Sequence, residues 1–121
     1  MARQRRSTRM RRVDTALRQV LAEAVARELA DPRLGFVTIT HVEATKDVRE
    51  AKVWFTTLDP AAREPSQEAL ESARGVLQAR VAAELRGRHT PQLTFLYDQV
   101  QEDAAALTRL IDRVTDPKES P

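Results

Sequence analysis

The stretch SQEALESARGVLQARVAAELR, residues 66–86, decides the fold. Leu70, Ala73, Val76, Leu77, Val81 and Leu85 recur at helical spacing, which predicts a helix with one apolar face. Gly75 interrupts the pattern at a cost of about 1 kcal/mol against alanine. A kink, or two short helices meeting there, accommodates it. The plainer alternative is a small residue that permits close helix–sheet contact. Arg74 stands at the interruption, Arg80 lies further along, and Arg86 and Arg88 lie beyond the far end. Glu84 is the only acid among them, so residues 74–91 carry a net charge of +3.

Working outward, Asp59 to Ser66 holds Pro60 and Pro65 and reads as an exposed connection. Before it lie two β-branched-rich runs, Phe36–Glu43 (FVTITHVE) and Glu50–Thr57. In the first, Val37 and Ile39 alternate but Val42 is out of phase. Either a bulge falls near His41 or the strand is apolar on both faces. In the second, Ala51, Val53 and Phe55 share one face, while Lys52 and Trp54 share the other. The polar turn Thr45-Lys46-Asp47 joins the two as a hairpin. Upstream, Val13, Leu17, Val20, Leu21, Ala24 and Leu29 mark a first helix with Ser7 or Thr8 as its cap. That helix stops near Ala30, because Asp31 precedes Pro32 and is biased away from helical angles. Downstream, Leu93–Tyr97 is a third strand. Val100, Leu107, Leu110, Ile111 and Val114 outline a final helix, and residues 115–121 fray.

The expected fold is therefore α+β, in the order α-β-β-α-kink-α-β. A three-stranded sheet packs on helices, with one face left open, and a C-terminal tail helix follows. The two strands joined through the helix pair run parallel if they are neighbours. Residues 1–9 read as a flexible basic arm, 10–98 as the domain, and 99–121 as the tail.

Charge gives the first functional signal. Residues 1–12 hold six arginines (Arg3, Arg5, Arg6, Arg9, Arg11 and Arg12) and no acid. The remaining 14 basic residues face 18 acids, so a basic arm is attached to a mildly acidic body. Arg9, Arg11 and Arg12 fall in the first turns of a helix, where the dipole disfavours cations. Such a placement points to an anionic partner; a solubilising tail is the plainer reading. Arginine suits phosphate because its planar fork donates paired hydrogen bonds.

Other chemistry is missing from the sequence. With no cysteine, disulfides, thiolate metal sites and thiol catalysis are excluded. No apolar run is long enough for a membrane span. The glycines are too scattered for a phosphate loop, and His41 and His89 lack metal or triad spacing. An enzyme is poorly supported, and no cofactor or metal is expected.

Four blocks carry a family resemblance. Asp31-Pro32-Arg33-Leu34-Gly35 follows the first helix, and Ala51-Lys52-Val53 lies in the second strand. Ser72-Ala73-Arg74-Gly75 marks the kink. Arg88-His89-Thr90-Pro91-Gln92-Leu93-Thr94-Phe95 leads into the third strand. In this order, from about Arg11 to Asp98, the chain resembles bacterial ribosome-binding factor A. The resemblance implies a KH-like fold of type II, in which Ala73-Arg74-Gly75 replaces the Gly-x-x-Gly loop of ordinary KH modules. It also implies binding to the free small (30S) ribosomal subunit and its 16S rRNA, late in subunit maturation. Support of 16S rRNA processing and of growth in the cold goes with that role, in a cytoplasmic, non-enzymatic monomer. Gly87 departs from the bulkier residue common in relatives, and the arm carries no family role.

The rRNA-binding candidates are Arg11, Arg12, Arg74, Arg80, Arg86 and Arg88, with Ala73 and Gly75 forming the interhelical kink. Arg74, Arg80, Arg86 and Arg88 are expected to be largely exposed, and Trp54 is expected to pack against the tail helix. Two other function classes stand beside the assembly factor. One is a general nucleic-acid binder using the same surfaces. The other is a protein–protein adaptor using the open sheet face and Trp54.

Overall fold

The computed structural model describes residues 6–29, 36–86 and 89–99. Helix α1 spans Thr8–Glu28 and starts where Ser7 accepts a hydrogen bond from the Met10 N–H. Strands β1 (Val37–Ala44) and β2 (Glu50–Thr57) form an antiparallel hairpin. Helices α2 (Arg63–Ser72) and α3 (Arg74–Leu85) follow, and β3 (Gln92–Tyr97) closes the domain. The sheet order is β1-β2-β3, with β3 parallel to β2 as the crossover requires. This is the expected α+β, KH-like order.

The out-of-phase Val42 has a direct cause. Register slips between Ile39 and His41, leaving Thr40 as an extra residue opposite the Phe55–Trp54 step. A bulge rotates the strand, so Ile39 and Val42 both enter the core although three residues apart. Thr40 then donates from its hydroxyl to the Asp98 carboxylate at 2.5 Å.

Leu17, Leu21, Val53, Phe55, Leu70, Leu77, Val81 and Leu93 fill the space between the helices and one sheet face. Burial of this order, at roughly 25 cal/mol per Å² of apolar surface, is the main force holding the layers together. One polar device fixes α1 to β1. Buried Asp14 accepts the Ala44 N–H at 2.9 Å and the Arg6 guanidinium, which also donates to the Ala44 carbonyl at 2.6 Å.

Several sequence expectations need correction. Arg6 is docked onto Asp14 and Glu43, while Thr8 and Arg9 are helical, so residues 6–9 belong to the body rather than to a free arm. The connection before α2 is shorter than its prolines suggested. Asp59 caps a short 3₁₀ turn, Pro60–Ala62, and α2 begins at Arg63. Pro65 is tolerated because the first turn of a helix has no partner for its N–H groups in any case. Val76 is 52% exposed rather than core, because only Leu77 and Val81 of α3 are buried and Val76 lies about 100° round the helix from Leu77. The predicted tail helix, the packing of Trp54 against it, and Gly87 and Arg88 lie outside the described residues.

Candidate nucleic-acid interface

The break falls at Ala73, which ends α2 and starts α3. Its N–H bonds back to the carbonyls of Ala69 and Leu70, and its carbonyl accepts the Leu77 N–H. One residue therefore serves both helices and turns the chain between them. Gly75 is not the bend itself. It lies one residue inside α3, and beyond its chain neighbours and the helix's own backbone nothing comes within 4 Å of where a Cβ would stand. An open space and a missing side chain there leave the backbone of the first turn approachable.

That first turn is unusual in its chemistry. Ala73 supplies no side-chain cap, and the turn contains no acid. Uncapped N–H groups at a helix start favour anions. Arg74 lies beside them, half-buried, with its guanidinium 6.0 Å from the centre of the Phe95 ring. Its Nε is buried and has no hydrogen-bond partner among the described residues. A guanidinium charge beside an uncapped helix start suits a phosphate oxygen, although the buried Nε itself is out of reach of a ligand.

Two glutamines straddle the break and hold it to the sheet. Gln67 of α2 donates to the Phe95 carbonyl at 2.8 Å, and Gln78 of α3 accepts the Leu93 N–H at 3.2 Å. They occupy polar groups on the free edge of β3, which would otherwise invite another strand. The interface is thus a helix break on a fixed platform. Arg63, which the sequence reading passed over, opens α2 and stacks 4.6 Å over the Tyr97 ring. Its only sequence signal was its place between two prolines in a stretch taken for a loop.

The predicted arginines do not form one patch. Arg74 and Arg80 are half-buried rather than largely exposed. They sit on different sides of α3, because six residues turn a helix by about 600°. Arg80 pairs with Glu84 one turn on, at 3.5 Å. Arg86 is exposed at the end of α3, in a left-handed conformation with φ 50°. Arg11 and Arg12 are exposed on α1. Arg12 lines a groove at the far end of α3 together with Arg9, Lys46, Arg49 and His89. Twelve residues of helix at about 1.5 Å each put that groove well away from the Ala73 break.

No group of three or more His, Cys, Asp or Glu residues able to hold a metal occurs among the described residues. No described helix is long and apolar enough to cross a membrane.

The family model described as ribosome-binding factor A matches residues 9–111, a span that includes α1, the hairpin, the break and β3. The chain belongs to the ribosome-binding factor A family. A ribosome-binding factor A of Neisseria meningitidis serogroup B is 42% identical over 115 residues, covering 95% of this chain and 94% of that protein. One from Frankia casuarinae is 43% identical over 104 residues, or 85% of this chain, but the match spans only 62% of that longer relative. The crystal structure of ribosome-binding factor A from Thermus thermophilus superposes with a TM-score of 0.67 at 31% identity, covering 73% of this chain and 94% of that one. A homology model of the Thermus factor, fitted into a cryo-electron-microscopy map of a 30S complex, superposes with a TM-score of 0.61 at 31% identity. It covers 71% of this chain and 91% of its own.

Proposed function

We propose that this chain is a ribosome assembly factor that binds the free small ribosomal subunit through 16S rRNA. It acts late in subunit maturation, in the cytoplasm and as a monomer, and supports 16S rRNA processing and growth in the cold. One observation carries the contact: the uncapped first turn of α3, with the half-buried Arg74 and the open space at Gly75 beside it. A phosphate of the RNA backbone accepts from this turn, while Arg80, Arg86, Arg88, Arg11 and Arg12 add longer-range attraction for the polyanion rather than contacts at the break. Shape sets the site, because few side chains here can read base edges.

Such a factor works by binding and not by catalysis. It stabilises the rRNA conformation it contacts better, and its differential affinity limits how far it can shift the equilibrium. Membership of a family with a Thermus member fitted to a 30S complex supports this reading. Sedimentation of a cell lysate tests it. The protein is expected in the free small-subunit fractions; a position with translating ribosomes, or at the top of the gradient, would contradict the proposal.

A further inference from the structure

The groove at the far end of α3 is built differently from the break. Its volume is about 770 Å³, comparable to pockets that hold small organic ligands. On α1, Arg9, Arg12, Val13 and Ala16 follow helical spacing and form one wall. Ala82 and Leu85 of α3, with Pro91, form an apolar floor, and the β1–β2 turn closes the remaining side.

Charge on the rim is predominantly positive. Arg9, Arg12 and Lys46 are exposed and have no ion pair or side-chain hydrogen bond among the described residues. Asp47 is the only acid lining the groove, and its own turn occupies it. Its carboxylate accepts the Thr45 hydroxyl at 2.7 Å and the Arg49 N–H at 3.2 Å, and it lies 3.8 Å from the Arg49 Nε, an exposed pair that a phosphate would compete with. The turn also carries strain. Val48 adopts φ 56°, a region a β-branched residue rarely enters. Its side chain packs against the core cluster in that conformation, which keeps Lys46 and Arg49 on the groove's edge. Strain of this kind persists only where surrounding structure enforces it, and it clusters at ligand clamps.

We propose that this groove is a second RNA site, which takes an unstacked base of a single-stranded segment. The base lies on the Ala82–Leu85 floor, and the flanking phosphates lie on Arg9, Arg12, Lys46 and Arg49. A duplex does not fit this chemistry, since it presents phosphates outward and keeps its base faces stacked away from an apolar floor. A single strand offers both a base face and a backbone, and guanidinium planes at the rim can cover the base. The inference rests on the RNA-binding reading above but concerns a different surface and a different part of the nucleotide.

The test measures fluorescence anisotropy of the full chain with a labelled ten-nucleotide single-stranded RNA and with its abasic counterpart. Cosedimentation with purified small subunits runs in parallel. The native protein is expected to bind the intact strand at least about fivefold more tightly than the abasic one. Ala82→Leu fills the floor at an exposed position suited to either residue. It is expected to abolish that preference and leave abasic binding unchanged, and Ala82→Met serves as a second filler. Arg12→Gln with Arg49→Gln is expected to weaken both strands. Equal binding of the two strands by the native protein would overturn the proposal, as would a preference that survives both fillers. Loss of subunit binding in the fillers with RNA preference intact would assign the groove to a protein and also overturn it. Native protein that binds neither RNA nor subunits would instead remove the broader functional reading.

Discussion

The two ends of α3 present positive charge in opposite ways. At the Ala73 break, arginine side chains are engaged by the fold: Arg63 stacks on Tyr97, Arg74 lies half-buried near Phe95, and Arg80 pairs with Glu84. The groups there that a ligand can reach are the backbone N–H donors of the uncapped first turn of α3. At the groove, Arg9, Arg12 and Lys46 carry free charges over an apolar floor. The break is preorganised and small, suited to one phosphate. The groove is wide, about 770 Å³, and rimmed by exposed long side chains, suited to a base with its backbone. A rigid donor set loses little entropy on binding, whereas ordering free arginine side chains costs about 0.5–1.5 kcal/mol each.

Salt should separate the two ends most strongly. Raising it from about 50 to 200 mM is expected to weaken RNA binding by at least tenfold if several phosphates are neutralised. The base preference assigned to the groove should change far less. A salt-independent affinity, read by anisotropy, would remove the electrostatic basis of both ends.

Asp14→Ala attacks the groove from behind. Asp14 ties α1 to β1 by accepting from Ala44 and Arg6, and α1 supplies one groove wall. Leaving a buried N–H and a part-buried guanidinium without that acceptor is expected to cost about 2–4 kcal/mol in urea unfolding. Because α2, α3 and β3 do not depend on Asp14, the residual folded protein should keep its phosphate contact at the break. An unchanged unfolding midpoint would mean that the Arg6–Asp14–Ala44 device does not anchor the helix.

Gly75→Ala gives a smaller effect of opposite sign. The position is open and helical, without a positive φ, so the substitution is expected to stabilise by about 0.5–1 kcal/mol. If a phosphate approaches the first turn of α3, the added methyl should lower subunit affinity several-fold despite that gain. Greater stability with unchanged affinity would show that no ligand comes near this backbone.

The smallest effect belongs to Asp47. The Thr45 hydroxyl, and then the Arg49 N–H, hold its carboxyl below the usual aspartate range. A lowered folded-state pKa stabilises at pH above the unfolded value and loses that contribution as pH falls through the folded value. Asp47→Asn is therefore expected to flatten the acid limb of a stability–pH curve slightly and to leave neutral pH almost unaffected. An unchanged acid limb would mean the turn is not held by this carboxylate.

Much of the fold was legible because its signals were local. Pattern and β-branching located the strands to within a residue, and the misplaced Val42 announced the bulge before the register showed it. Gly75 announced a break, and of the two residues expected to form the kink, Ala73 and Gly75, it is Ala73 whose backbone bonding makes the bend. Val76 and Pro65 were misread for local reasons: α3 buries only a narrow face at Leu77 and Val81, and proline is harmless in a first turn. The site was harder to read. Arginines can be counted in a sequence, but whether they meet depends on helix faces and on contacts across the fold. Arg74 and Arg80 fall on different sides of α3, and Arg12 meets Lys46 and Arg49 only through the packing of α1 against the β1–β2 hairpin.

The claim that the Ala73 break holds the subunit is tested most directly by the Arg74→Glu variant, titrated onto purified small subunits with circular dichroism confirming its fold. Affinity is expected to fall by at least tenfold, because an attractive charge becomes a repulsive one next to phosphate. A folded variant that binds with native affinity would contradict the claim and place the contact elsewhere on the molecule.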